Sequence, residues 1–147
     1  MKKERLHKQL ESEWQALLQS FAGLPDDALL QPEVVGIWSI RDVLAHISTW
    51  EEEALKALPL VLEGKRLPRY GNIHRFNAGE QERKRHLSLD QVKKELDSTH
   101  RKLMDFMALL PETAFTERFR HRLRLDTIKH YREHSEQVAI WRQDRGL

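Results

Sequence analysis

His130 and His134 stand four residues apart, a spacing that sets two side chains about 40° apart around a helix and one turn from each other. Imidazoles so placed have Cβ atoms roughly 5–6 Å apart, and from there two ring nitrogens reach one divalent ion at about 2.0–2.1 Å. Val138 and Trp141 continue the same side, which turns both rings toward an apolar seam. The spacing alone carries little, because eight histidines in 147 residues supply about 0.4 His-x-x-x-His pairs by chance. The alternative is a pair of core histidines satisfied by ordinary hydrogen bonds. His46 shares its helix side with Val43, Trp50 and, two turns on, Glu53. A third imidazole from a second helix would complete a three-His centre with open positions, able to polarise a carbonyl, activate water or bind a thiol. Hydrolysis there would need a base, for which Glu53 is the candidate, the alternative being a solvated helix carboxylate. Trp50 is the candidate pocket wall, the alternative being a plain core tryptophan. The chain has no cysteine, so thiolate ligands and protein thiol nucleophiles are excluded, and thiol chemistry would need a low-molecular-weight thiol cofactor.

Four amphipathic helices must position these groups. Leu6, Leu10, Trp14, Leu17, Leu18 and Phe21 mark the first, over Lys3 to Ala22, with Gly23 as its stop. Leu24 to Trp38, punctuated by Pro25, Pro32 and Gly36, reads as a connector with a turn at Pro25-Asp26-Asp27. Ser39 with Asp42 forms a capping box for a second helix from Ile40 to about Glu63, which Pro59 should kink or split. After a loop over Gly64 to Gly71, Asn72 to Arg85 is a short polar helix. Ser88 with Gln91 opens a third long helix that ends before Pro111. Asp126 is the expected N-cap of a fourth, reaching Trp141 or beyond. Short strands over Phe115 to Leu125 are conceivable but have no evident partner. The fold class is all-α, a four-helix bundle in one domain over residues 1–147, with a short extra helix between helices two and three.

The two halves look duplicated. Leu24-Pro25-Asp26-Asp27-Ala28-Leu29 resembles Leu110-Pro111-Glu112-Thr113-Ala114-Phe115, each after a long helix. Aligning Asp42 with Asp126 pairs His46 with His130 and Trp50 with His134. His7, His74, His86, His100 and His121 lie in charged contexts and are expected to face solvent.

Apolar residues make up 39% of the chain, which suits a single folded core rather than disorder. Charged residues make up 33%, nearly balanced at a net +2, so a polyanion partner has weak support. The stretch Arg118, Phe119, Arg120, His121, Arg122 and Arg124 can grip phosphate, but Phe119, Leu123 and Leu125 equally anchor it to the core as a solvated connector. No apolar run approaches the ~20 residues a membrane span needs. A soluble, cytoplasmic protein that acts on a small molecule is expected, with neither membrane nor nucleic acid as partner.

The run Trp38-Ser39-Ile40-Arg41-Asp42-Val43-Leu44-Ala45-His46-Ile47, continuing to Trp50-Glu51, resembles the DinB-like superfamily, above all its Trp-Ser-x-x-Asp-x-Leu-x-His branch. The late helix of that family, with its His-x-x-x-His, is matched by His130-Tyr131-Arg132-Glu133-His134, and its frequent terminal Trp by Trp141. The resemblance implies an up-down-down-up bundle, often a homodimer. It also implies a divalent ion, usually zinc or nickel, held by His46, His130 and His134. Relatives include metal-dependent hydrolases and S-transferases that use low-molecular-weight thiols such as bacillithiol, mycothiol or glutathione. The Trp-Ser signature is similar, too, to that of colibactin self-resistance proteins, where three histidines are not a defining feature. That similarity keeps open a non-enzymatic bundle binding a small molecule or nucleic acid, in a self-resistance or stress role.

Overall fold

The computed structural model describes residues 1–147. Its helices are α1 (Lys2–Phe21), α2 (Asp26–Leu29), α3 (Ile40–Leu62), α4 (Ile73–Lys84), α5 (Leu89–Ala108), α6 (Glu117–Leu123) and α7 (Lys129–Asp144). A 3₁₀ turn, Glu112–Ala114, precedes α6, and a π turn, Arg124–Ile128, joins α6 to α7. No strand forms. The nearest approach to one is a single bridge between Val35 and Trp38 in the connector after α2, where Gly36 takes a φ of +58° that disfavours a side chain.

Capping chemistry sets the two best-defined helix starts. Ser39 Oγ accepts from the Asp42 N–H at 3.1 Å while Asp42 Oδ2 accepts from the Ser39 N–H at 3.1 Å. Ser88 and Gln91 repeat the exchange at 3.1 and 2.8 Å. Each box satisfies two N–H groups that a helix start leaves free, and loss of such a cap costs about 1 kcal/mol. The short polar helix forms as α4, with Asn72 Oδ1 accepting from the His74 and Arg75 N–H groups. α3 runs through Pro59 without splitting.

α3 is buried around most of its circumference from Ile40 to Ala54, the pattern of a central helix. It packs along α5, and α1 packs along α7. Leu10, Leu17, Ile40, Val43, Ile47 and Leu103 are fully buried between these pairs, each worth about 1.5–3 kcal/mol of apolar burial.

Three expectations are corrected. Asp126 is not an N-cap: the last helical run starts ten residues earlier, where Thr116 Oγ1 caps α6 by accepting from the Phe119 N–H. The basic stretch is therefore helix α6 rather than a connector or strand, with Phe119 and Leu123 seated in the core. His100 does not face solvent. It is buried, stacked flat on Trp14 with ring centroids 3.7 Å apart, and paired through Nδ1 with the Tyr131 hydroxyl at 3.1 Å. Tyr131 in turn donates to Glu51, a carboxylate with no exposure that also accepts from Thr99 Oγ1 at 2.7 Å. The proposed repeat holds where Pro25 and Pro111 each open a short helical turn. It fails at Asp42 and Asp126, one in a capping box and the other mid-helix.

Candidate metal centre

His46 projects from the second turn of α3, and His130 and His134 from the first two turns of α7, into the seam between these helices. The three rings meet. Centroids are 5.1 Å apart for His46 and His130, 5.2 Å for His46 and His134, and 5.6 Å for His130 and His134. Three imidazoles on one tetrahedral ion, each nitrogen about 2.0–2.1 Å from it, would have centroids about 5 Å apart. As the rings are placed, no three His, Asp or Glu side chains meet coordination geometry, so an ion would require them to turn.

The electrostatics keep all three rings neutral near pH 7. Burial, then the neighbouring His130 and His134 and the more distant Lys84, lowers His46 to about 3. Burial, then His134 and Lys129, lowers His130 to about 4. Burial also lowers His134, against the raising effects of Gln137 and Glu133. Neutral imidazole is the form that offers a lone pair to a metal. Gln137 Oε1 lies 2.7 Å from His134 Nδ1. With that oxygen as acceptor, Nδ1 carries the proton and Nε2 keeps the lone pair, an outer-sphere arrangement common around metal-bound histidine. His130 Nδ1 is buried without any hydrogen-bond partner, a cost that an unpartnered core histidine would carry for no return. In residue type, spacing and protonation the trio fits a divalent ion.

His130 is the member that reaches a cavity. The core stripe of α7 runs through Tyr131, His134, Val138 and Trp141, and His130 sits at its edge, half-buried. The cavity beside it has a volume of about 240 Å³, with Trp50, Ile73 and Leu125 as its apolar wall and Asp126, Lys129 and Glu133 as its polar lining. Trp50 is one of the three apolar residues that line this cavity. Its ring packs 6.0 Å from His130, 5.0 Å from Tyr70 and 5.3 Å from Phe76, and its indole N–H donates to Asn77 Oδ1 at 3.0 Å. Trp38 covers His46 from the other side at 4.8 Å.

Glu53 is buried and lines no part of this cavity. Its Oε2 accepts from the Tyr70 hydroxyl at 3.2 Å and its Oε1 pairs with Lys56 at 3.2 Å. Tyr70 also accepts from Arg122 at 2.9 Å, and Arg122 Nε donates to Asp126 Oδ2 at 2.7 Å. The chain Glu53–Tyr70–Arg122–Asp126 ties the loop before α4 to the π turn. Asp126 is the polar residue whose role the sequence pattern misstates. Its place before an apolar run suggests a cap, whereas burial holds it inside and raises its carboxyl to about 6, against the lowering effect of Arg122.

No curated protein sequence matches the chain. Among solved structures, the sibling lethal factor precursor DfsB superposes with a TM-score of 0.82 at 16% identity, covering 97% of this chain and 96% of the other. The colibactin self-resistance protein ClbS, in a crystal structure with a dsDNA, gives 0.80 at 15% identity, with 95% and 94% covered. An uncharacterised Escherichia coli protein gives 0.79 at 11%, with 99% and 95% covered. At these identities the likeness establishes the fold. The dsDNA belongs to the ClbS structure, and it is not in line with the expectation that nucleic acid is no partner of this chain. A family model described as the DinB superfamily matches residues 9–139, which takes in the Trp38 to Trp50 signature and both histidines of α7, and the chain belongs to that superfamily.

Proposed function

We propose that this protein binds a divalent metal ion through His46, His130 and His134 and uses it on a small organic molecule, as a metal-dependent hydrolase or a low-molecular-weight-thiol S-transferase. The observation that carries this reading is the meeting of three neutral imidazoles from two helices at centroid spacings of 5.1–5.6 Å. Zinc and nickel suit an all-imidazole donor set. When bound, the ion would supply a Lewis acid for a carbonyl, for water or for a thiol. The chain's own residues divide the remaining work. Gln137 fixes the His134 tautomer, Trp38 and Trp50 exclude water from two sides, and the cavity beside His130 admits the reactant. Glu53 is the proposed base. Both its oxygens are engaged, so it acts on a proton through the Tyr70 hydroxyl that it holds.

The test is metal content. Protein purified without a histidine tag is expected to take up about one zinc or nickel per chain and to lose that capacity in His130→Ala. No uptake, with a melting temperature unmoved by added zinc, would return the trio to a structural role. The two chemistries separate when metal-loaded protein is given an electrophile with and without each thiol, since adduct that forms only with thiol marks a transferase.

A second reading has its own observation. Arg118, Arg120, His121 and Arg124 of α6 and the turn after it, together with Thr116 and Glu117, line one open hollow of about 600 Å³, cationic on balance and suited to phosphate. A salt-dependent mobility shift of duplex DNA, weakened in Arg120→Ala/Arg124→Ala, would support a nucleic-acid binder. Unshifted DNA at low salt would remove it.

A further inference from the structure

The π turn creates an acceptor that the fold leaves free. Across it the Lys129 N–H bonds to the Arg124 carbonyl five residues back, a widened turn of a kind that often marks functional sites. It brings Asp126 to the cavity beside His130. The Asp126 side chain is 3% exposed. Its Oδ2 is held by Arg122 Nε at 2.7 Å, while Oδ1 accepts no hydrogen bond from the protein. That oxygen is not among the fully buried atoms without a partner, which are His130 Nδ1 and Trp141 Nε1, so it keeps contact with solvent and a donor from water or a ligand can reach it. Of the nearby charges, Arg122 is shared between Asp126 and Tyr70, while Lys129 and Glu133, both exposed, line the same cavity and are not ion-paired with each other. Opposite, Trp50 is fixed by its bond to Asn77 and, with Ile73 and Leu125, forms a rigid apolar wall.

We propose that this cavity is the organic-ligand pocket of the site and that it selects small molecules with an apolar body ending in an N–H donor, an amine or amide. Asp126 Oδ1 receives the donor and the body lies along Trp50, Ile73 and Leu125. A carboxylate or phosphate at that position is disfavoured, because its oxygen would meet the Asp126 oxygen, and Lys129, on the exposed side of the lining, is the one group that would draw an anion instead. The volume of about 240 Å³ suits a molecule the size of a single ring with a short arm. The raised Asp126 carboxyl agrees with this, since a bound cation would restore the charge that burial opposes. That the ligand is the reactant of the histidine trio rests on the metal reading; that the pocket prefers donors does not.

The probes are benzylamine and benzoate, titrated into EDTA-treated protein and followed in ¹H–¹⁵N correlation spectra. Benzylamine is expected to shift the Trp50 indole N–H and the amides of Leu125 to His130, and benzoate to bind about tenfold more weakly or not at all. Asp126→Asn reverses the preference, because the amide oxygen stays on Arg122 and the amide NH₂ faces the cavity. Ile73→Trp, at a position 40% exposed, fills the mouth and abolishes both without touching Asp126. Equal binding of the two probes to the native protein, an unchanged order in a folded Asp126→Asn, or unaltered binding in Ile73→Trp would each overturn the proposal. Protein that takes up zinc but not benzylamine would overturn the pocket and leave the metal reading standing. Protein that binds benzylamine but no zinc would do the reverse.

Discussion

Metal-free protein should lose stability steeply as pH falls from 7 to 5, and the loss should come from the histidine trio. In the unfolded chain each imidazole takes up a proton around pH 6.5, whereas folded His46 stays neutral to about 3 and folded His130 to about 4. Both folded values are depressed, so between pH 6.5 and about 4 the unfolded state binds more protons and stability falls with pH. pH 5 lies about 1.5 units below the unfolded imidazole value and above both folded values, so the unfolded chain gains about 2 kcal/mol per histidine and about 4 for the two. His134 acts in the same direction. Asp126 opposes them. Its folded carboxyl, raised to about 6, takes up a proton above pH 5 that the unfolded chain does not, and returns about 1 kcal/mol. The net expectation is a fall of about 3 kcal/mol, measured by urea unfolding at pH 7 and pH 5 in EDTA. His46→Gln should show a fall about 2 kcal/mol smaller between the same two pH values, whatever its absolute stability. Equal falls for the two proteins would refute the claim that the trio is held neutral by burial.

Three further perturbations test the parts around the site. Gln137→Leu removes the acceptor that fixes the His134 tautomer and should weaken zinc binding about tenfold by isothermal titration, with little change in melting temperature. Lys84→Met strands Glu52 and Glu95, which pair with the buried ammonium at 3.0 and 2.6 Å. It should cost about 3 kcal/mol in thermal unfolding, most of it recovered when both carboxylates are also made Gln. Tyr131→Phe takes a donor from the fully buried Glu51 and should cost about 2 kcal/mol while leaving zinc affinity unchanged, since that hydroxyl points away from the trio toward α1 and α5.

The long helices are legible in the sequence because each advertises itself twice, by periodicity and by cap. The Ser39–Asp42 and Ser88–Gln91 boxes form as their sequence pattern requires. The fourth helix misleads because its cap signal is genuine in type and false in place. Asp126 precedes an apolar-periodic run as an N-cap would, yet Thr116, ten residues earlier, starts the helix. The chain then passes Asp126 in a π turn that packs against α3 and α1, with Thr127 Oγ1 donating to the Leu123 carbonyl inside it, a distortion that no periodicity announces. His100 misleads for a related reason. Its sequence neighbours are charged, but on α5 it lies on the side of Val92, Leu96 and Leu103, so helical position outweighs composition.

The same distinction governs the candidate site. Spacing and facing are properties of one helix at a time, and they suffice to place His46, His130 and His134 near one seam. Which of the three opens to solvent is a property of the α3–α4–α7 junction. The α7 stripe, through Tyr131, His134, Val138 and Trp141, moves His130 to the seam's edge and hence to the cavity. Carboxylate surroundings are set on the same ground. Glu53 sits two turns from His46 on one helix, and its oxygens are held by Tyr70 and Lys56, which come from the loop and the next turn, so the proposed base reaches a proton only through Tyr70. Asp126 has the sequence setting of a cap, and an extra residue in a helical turn brings it to the cavity with one oxygen free. A polar side chain's function here depends less on its own helix than on which neighbouring element claims its hydrogen bonds first. The pocket preference tested with benzylamine and benzoate is a direct reading of the Asp126 oxygen that no neighbouring residue claims.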